Sequence, residues 1–287
     1  MQAISPQSLV EDTLELFSLP DIYFQIREMI SDSRFSMEDM GQVISKDPAL
    51  SIRLLKVVNS SFYGFGARVD TVTRAISIVG INDLQNLILA TAVVDSFSNI
   101  PSDLVDMTAF WLRSVSCGVI ARQLAKKSAI LNSERLFLTG LLHDIGSLVL
   151  YAKLPSKSLE VLLTAANNRF LVADLEQEII GFTHADVGSE LIKTWGLPDS
   201  LAEAIRCYLS PEMALTHKLD AHLLFLAARL SDSAEQNKSV TEILAEVPEE
   251  TLLITRLNEQ QISEVMRCAN GEVAQTFELM APSKRFH

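Results

Sequence analysis

One stretch decides how this chain folds: residues 137–150, Phe-Leu-Thr-Gly-Leu-Leu-His-Asp-Ile-Gly-Ser-Leu-Val-Leu. It is apolar almost throughout, so we expect it to run through the protein interior as one helix. His143 and Asp144 lie side by side in its middle. A buried imidazole and a buried carboxylate must be paired, hydrogen-bonded or bound to a metal, because leaving them bare costs several kcal/mol. These two side chains must therefore have polar partners or a metal elsewhere in the protein.

Helix signals recur along the whole chain. Asp47 followed by Pro48 marks one helix start, because aspartate caps a helix and proline loses no hydrogen bond at the first helical position. Thr183 followed by Asp186 is typical of a capping box at another start. Apolar residues repeat at helical spacing between such starts, and the chain has only 11 Gly and 9 Pro. The sequence predicts an all-α fold.

A looser stretch, residues 97–106, contains Pro101 and short polar side chains. We predict a boundary there, with an N-terminal helical subdomain at 1–105 and a second helical subdomain at 106–287. The last part of the second subdomain, residues 232–287, is predicted to form acidic amphipathic helices. Aromatic residues within 62–65 are expected to fill space between helices.

Composition and charge disfavour several classes of protein. The 287-residue chain is 48% hydrophobic and 21% charged, which is typical of a globular protein with a sizeable core. It carries 24 basic and 36 acidic residues, for a net charge of −12. An acidic protein repels a phosphate backbone, and we find no run of lysine and arginine that would overcome this, so general nucleic-acid binding is disfavoured.

Cysteine usage and the N-terminus favour the cytoplasm. The three cysteines, Cys117, Cys207 and Cys268, are far apart and form no CxxC pair, so we expect buried thiols in a reduced protein. The N-terminus has neither the basic start nor the apolar segment of a signal peptide. The longest apolar runs are interrupted by His143-Asp144 or by Asp83, so no membrane-spanning helix is predicted. We expect a cytoplasmic protein with no membrane partner.

The flanks of the His-Asp pair resemble a known family. The segment Leu141 to Gly146 resembles the signature of the HD superfamily of metal-dependent phosphohydrolases. The order of further motifs is similar to that of the HDOD family, the HD-related output domain of bacterial signalling proteins; these motifs lie at 47–60, 75–81, 110–111, 181–188 and 195–198. The similarity covers roughly residues 15–230. It implies a multi-helical HD-like bundle in the second subdomain, packed against the N-terminal helical subdomain.

The resemblance also implies a set of metal ligands, of which this chain keeps a part. Three ligand positions are kept, at His143, Asp144 and His184. Three others are changed: a histidine position holds Arg113, the region of a further histidine holds Tyr208, and a final aspartate position holds Ala228. The resemblance therefore implies a degenerate HD site.

We put forward the hypothesis that Arg113 takes the place of the metal. On a helix it shares a face with Phe110 and Cys117, so we expect it to point inward. A permanently charged guanidinium beside Asp144 would repel a divalent cation and can itself satisfy the carboxylate. In this hypothesis His143 and Asp144 belong to a structural polar cluster.

Three functional interpretations stay open. The first is a non-catalytic signalling protein that binds other signalling proteins and needs no cofactor. The second is a metal-dependent phosphohydrolase acting on a nucleotide or cyclic dinucleotide, in which His143, Asp144 and His184 would hold Mn, Zn, Fe or Ni. The third is a sensor that binds a nucleotide in the degenerate pocket without hydrolysing it.

Overall fold

A computed structural model describes residues 4–13, 17, 19–60, 68–97, 104–130, 132–166, 168–236 and 238–280. The aromatic stretch at 62–65 and Pro101, at the centre of the predicted boundary, lie outside these residues. Across the part that is described, the chain forms helices and no strand, so the predicted all-α fold is confirmed.

The helices are numbered in chain order. They are α1 Pro6–Glu11, α2 Asp21–Ser31, α3 Met37–Ser45, α4 Pro48–Val58, α5 Val72–Val79, α6 Ile81–Ser96, α7 Met107–Lys127, α8 Glu134–Leu142, α9 Ile145–Lys153, α10 Pro155–Ala165, α11 Val172–Ile179, α12 His184–Thr194, α13 Asp199–Cys207, α14 Lys218–Gln236, α15 Val240–Ala245, α16 Glu249–Thr255 and α17 Glu259–Met280. Two single 3₁₀ turns, Arg169–Leu171 and Pro211–Met213, join α10 to α11 and α13 to α14.

The chain forms two compact units. One contains Met1–Phe17 and Asn99–Ala269, and the other contains Ser18–Ser98 and Asn270–His287. This division differs at both termini from the predicted segments 1–105 and 106–287. At the N-terminus the physical reason is that α1 packs on α12 and α9, and the indole nitrogen of Trp195 donates a hydrogen bond to the carbonyl oxygen of Phe17 at 2.9 Å.

The unit built around Ser18–Ser98 shows the helix starts that its sequence predicts. The side chain of Asp47 accepts a hydrogen bond from the backbone N–H of Leu50 at 3.0 Å, and Pro48 opens α4. Gly80 separates α5 from α6 with a φ of +88°, a left-handed conformation that glycine adopts without a steric penalty. The two helices consequently bend by 114° at this residue.

The unit built around Asn99–Ala269 holds the 137–150 stretch in its interior, as expected. This stretch is not one helix, however. α8 ends at Leu142, and α9 begins at Ile145, so His143 and Asp144 lie in the turn between two buried helices. The apolar pattern continues across the break, which is why the sequence suggested a single helix.

Three glycines allow the helices around this turn to approach closely. A Cβ atom on Gly140 would lie 2.6 Å from the Cα of Gly118, so α8 can cross α7 only without that side chain. A Cβ atom on Gly146 would overlap the carbonyl oxygen of His184. α9 therefore packs directly on the first turn of α12, which brings His184 to the His143–Asp144 turn.

One segment, Glu134–Lys153, is apolar enough and long enough to cross a membrane, and 89% of its most apolar window is buried inside the protein. A second possibility among the described residues is the bent pair Val72–Val79 and Ile81–Val94. On length and composition alone, this segment therefore departs from the prediction that no helix spans a membrane. A buried core segment of a globular protein passes the same test, so the finding is weak evidence for a span.

The cysteines depart in one respect from expectation. Cys117 and Cys207 are buried free thiols, but Cys268 is exposed on α17. The prediction of buried thiols was therefore wrong for Cys268, because this residue lies on the outward face of an amphipathic helix.

Candidate functional site

The carboxylate of Asp144 is the centre of the site. Both His143 and Asp144 are buried, with 3% and 1% of their surfaces exposed. Oδ2 of Asp144 accepts a hydrogen bond from Nη2 of Arg169 at 2.8 Å and from Nη2 of Arg113 at 3.4 Å. Its other oxygen, Oδ1, accepts a short hydrogen bond from the hydroxyl of Ser147. Two guanidinium groups and one hydroxyl therefore satisfy this carboxylate.

Arg169 is a partner of Asp144 that the sequence did not indicate. Arg113 is buried and reaches Asp144, but Arg169 makes the shorter contact and also lies 3.5 Å from Oδ1 of Asp232. It sits in the 3₁₀ turn after α10, in a polar connector without periodicity. No spacing rule links such a position to Asp144, 25 residues earlier.

His184 is held on both ring nitrogens. Nδ1 lies 2.6 Å from Oε2 of Glu176, and the backbone N–H of His184 donates to the same oxygen at 2.8 Å. Nε2 lies 2.5 Å from the hydroxyl of Tyr208 and 3.9 Å from Oδ1 of Asp144. The buried Glu176 was also missed, although its place in α11 just before the capped start of α12 was a signal that could have found it.

His143 is oriented by the helix before it. Its Nδ1 lies 2.7 Å from the carbonyl oxygen of Gly140. Because a carbonyl oxygen only accepts, Nδ1 carries the hydrogen and Nε2 carries the lone pair. The edge of the ring packs on Tyr208 with 5.3 Å between ring centroids. Burial lowers the pKa of His143 to about 4, against the opposing pull of Asp144, so the imidazole is neutral near pH 7.

The charges of the cluster follow from its geometry. Burial alone would raise the pKa of Asp144, but Arg169, His184 and Arg113 together hold it below its usual range, so the carboxylate stays ionised. For His184, burial opposes the charged form, yet Glu176 raises the pKa above its ordinary value. Burial raises the pKa of Tyr208 well above its usual range, so the phenol stays protonated.

A cavity of 310 Å³ opens beside the cluster. Of the six predicted site residues, four line it: His143, His184, Tyr208 and Ala228. Asp144 and Arg113 lie behind that wall, linked to it through Arg169, which also lines the cavity. On its outer side Arg229 stacks over the ring of Phe170, with 4.4 Å between the guanidinium carbon and the ring centroid.

These residues do not fit a metal ion. Within the described ranges, no group of three or more His, Cys, Asp or Glu side chains is arranged to hold one. The oxygens of Asp144 are directed at Arg169, Arg113 and Ser147, and both nitrogens of His184 have partners. Two permanent positive charges at the carboxylate also disfavour a divalent cation.

The sequence pattern of the HDOD domain matches residues 16–211, which is more than half of the chain. The chain belongs to the HDOD family. Among solved structures, an HDOD domain protein of unknown function from Geobacter sulfurreducens has a TM-score of 0.74 at 18% identity, covering 96% of this chain and 98% of its own. A Shewanella amazonensis protein provisionally named a phosphohydrolase has a TM-score of 0.77 at 21% identity, covering 96% and 99%.

Two further relatives extend the comparison of this HDOD protein. A Marinobacter aquaeolei VT8 protein, provisionally named a signal transduction protein, has a TM-score of 0.69 at 24% identity, covering 94% of this chain and 61% of its own. At these identities the structural likenesses establish the fold. An uncharacterised protein of Treponema pallidum (strain Nichols) is 27% identical over 202 residues, which are 69% of this chain and 38% of that protein. The chain thus matches well under half the length of that relative.

Proposed function

We propose that this HDOD protein is a non-catalytic bacterial signalling protein that acts by binding other signalling proteins. The observation that carries the proposal is the pair of guanidinium contacts to Asp144, from Arg169 at 2.8 Å and from Arg113 at 3.4 Å. Asp144 is the residue to which the family resemblance assigns a metal. The two arginines provide the positive charge that a metal would otherwise supply.

The chemistry of phosphoester hydrolysis supports this proposal. An HD-type site needs a metal that binds phosphate oxygens and lowers the pKa of an attacking water. Three of the expected ligand positions hold groups that cannot serve: a guanidinium has no free lone pair, the phenol of Tyr208 stays protonated, and Ala228 has no donor atom. The cluster is then a structural part of the protein, and function lies on its surface.

Two variants of Asp144 test the structural role. Asp144→Ala leaves Arg169 and Arg113 buried around an empty position, so we expect it to lower the free energy of unfolding by about 3–5 kcal/mol, as measured in urea. Asp144→Asn keeps the shape and one acceptor, and should cost less. A metal that bound only the folded state would raise the melting temperature. Because we expect no metal to bind, added Mn, Zn, Fe or Ni should leave the melting temperature of the wild type unchanged.

A second candidate function is favoured by His143. Its Nδ1 hydrogen bond to Gly140 leaves a lone pair on Nε2, the arrangement found in most metal-ligating histidines. The alternative is therefore a phosphohydrolase with a reduced ligand set, or a sensor that binds a nucleotide in the 310 Å³ cavity. Metal-dependent hydrolysis of a nucleotide to release phosphate, or of a cyclic dinucleotide to the linear dinucleotide, abolished by His143→Ala, would establish the phosphohydrolase and overturn the first proposal.

The cytoplasm is the compartment we propose. The free thiols of Cys117 and Cys207 support it, because such groups persist in a reducing environment. The net charge of −12 is consistent with protein partners rather than nucleic acid.

A further inference from the structure

A second, larger concavity lies on the same unit as the HD-like cavity. It has a volume of 850 Å³ and is bordered by α12, α13 and the loop that follows α13. We call it the 203–217 groove. Its apolar part is formed by Ala202, Cys207, Leu209, Met213 and Leu215.

The loop at the edge of this groove is fixed by one carboxylate. Oε1 of Glu203 accepts the backbone N–H groups of Leu215 at 2.7 Å and Thr216 at 2.9 Å, and Oε2 accepts that of His217 at 2.8 Å. Burial would raise the pKa of Glu203, but these three donors lower it, so the group stays ionised. Charge-assisted hydrogen bonds to three successive amides hold the loop in one conformation.

The fixed loop presents two large apolar side chains to solvent. Met213 is 67% exposed, and Leu215 is 84% exposed. A single exposed apolar residue needs no explanation, but two that are close in sequence and border a groove are typical of an interaction site. Because the loop is already ordered by Glu203, binding there would cost little additional conformational entropy.

The wall of the groove contains a polar group without a partner. The hydroxyl of Ser189 is buried, and no hydrogen bond to it exists among the described residues. Ser189 lines the groove. The oxygen itself has almost no accessible surface, so it lies inside the wall, and the groove is lined by the rest of the serine.

The lining of the groove has a small excess of negative charge, with one more carboxylate than lysine and arginine and with His217 at its edge. Three carboxylates line it, at Asp186, Asp199 and Glu203, against the two bases Lys193 and Arg206. Lys193 is already paired with Glu190 at 2.7 Å. Burial raises the pKa of the Cys207 thiol, Glu203, Asp186 and Glu212 raise it further, and Arg206 lowers it.

We propose that the 203–217 groove is the docking site for an amphipathic segment of a partner protein, with apolar side chains on one face and lysine or arginine beside them. The apolar face would cover Met213 and Leu215, and the basic side chains would meet the carboxylates. This rests on the proposed function, since it gives the surface through which a non-catalytic HDOD protein would bind its partners.

The groove shares a wall with the HD-like cavity. Cys207 lines the groove, and the next residue, Tyr208, lines the cavity, while Thr183, Gln177, Leu209 and Ser210 line both. The Glu176–His184–Tyr208 hydrogen bonds stand within this wall. The degenerate site therefore holds the end of α13 and the start of α12 in place at the groove.

Two synthetic peptides of about 14 residues, roughly four helical turns, can test the proposal. Both carry leucine at the same helical positions, and the polar positions are lysine in one and glutamate in the other. Fluorescence anisotropy with the full chain should show that the lysine peptide binds at least about tenfold more tightly than the glutamate peptide, a difference of about 1.4 kcal/mol. Its affinity should fall with added salt.

A matched pair of surface variants locates the binding. The double variant Met213→Ser/Leu215→Ser should weaken the lysine peptide at least about tenfold, whereas Leu163→Ser, which changes a 71% exposed leucine on α10, should leave the affinity unchanged. Circular dichroism checks that both variants fold. Equal effects of the two variants, equal binding of the two peptides, or no binding of either would overturn the docking site.

Failure of the docking site is distinguishable from failure of the proposed function. Absent peptide binding in a protein that holds no metal removes the docking site and leaves the non-catalytic assignment in place. A metal-dependent phosphoesterase activity removes that assignment, whereas selective peptide binding lost in the double variant still supports the groove.

Discussion

At the scale of single residues, Arg169 is the main partner of the Asp144 carboxylate. It places its guanidinium on Asp144 at 2.8 Å and near Asp232 at 3.5 Å, and so joins the turn between α8 and α9 to α14. Burial lowers the pKa of Arg169, but the two carboxylates raise it by more, so the cation is stable there. Arg113 supports the same carboxylate from α7 at a longer distance.

Removal of Arg169 should destabilise the protein more than removal of an ordinary surface arginine. Arg169→Ala leaves Asp144 with Arg113 and Ser147, so we expect a loss of about 2 kcal/mol in the free energy of unfolding measured in urea. The matched control is Arg206→Ala, which removes an exposed arginine and should change stability by less than about 0.5 kcal/mol. Equal effects of the two substitutions would show that Arg169 has no structural role.

His143 gives a prediction about pH. Its pKa is about 4 in the folded protein and 6.5 as a free side chain, so the unfolded chain binds the proton first. The stability that the protein gains by burying a neutral imidazole is therefore fully present above pH 6.5. The free energy of unfolding falls as the pH falls from 6.5 towards 4. The slope of unfolding free energy against pH in this window should be smaller in His143→Asn by up to about 1.4 kcal/mol per pH unit. Identical slopes would contradict the burial of a neutral His143.

Part of the site was readable from the sequence. An apolar stretch interrupted by His143 and Asp144 predicts a buried polar pair, and the capping signal at Thr183 placed His184 at a helix start. The pairing of Asp144 with Arg169 was not readable, because the arginine lies in an irregular connector whose path depends on tertiary packing. Arg113 was predicted to reach Asp144 and does so, at 3.4 Å, but helix periodicity gives the direction of a side chain and not its distance, so the shorter contact from Arg169 could not be predicted.

At the scale of secondary structure elements, the site depends on how closely α9 approaches α12. Gly146 makes this contact possible, since any side chain there would overlap the carbonyl oxygen of His184. The sequence indicated the starts of α4 and α12 through their caps, but neither α11, in a stretch interpreted as a polar connector, nor the break between α8 and α9. That break follows from packing, because α8 lies against α7 while α9 lies against α12.

Two glycine substitutions test this arrangement. Gly146→Ala should lower the free energy of unfolding by about 3 kcal/mol, because its Cβ meets backbone atoms that cannot rotate away. Gly271→Ala is the control, since that glycine lies within α17 with no atom near its Cβ position. There alanine should stabilise the protein by about 0.5–1 kcal/mol through helix propensity. A neutral Gly146→Ala in urea unfolding would refute the close approach.

At the scale of the whole molecule, the all-α class and the HDOD family followed from the sequence, because helix periodicity and ordered motifs persist along the chain. The sequence did not predict which segments of the chain make up each of the two compact units. Residues 1–17 join the unit that contains the HD-like site through contacts between segments far apart in sequence, such as Trp195 with Phe17. Such contacts leave no local pattern.

We propose above that arginine takes the place of the metal at Asp144. Elemental analysis of the full chain, purified without chelator and then equilibrated with Mn, Zn, Fe and Ni in turn, tests it most directly. We expect less than about one tenth of an equivalent of any metal, unchanged in His143→Ala. One equivalent of metal in the wild type, lost in His143→Ala and in Asp144→Ala, would contradict it.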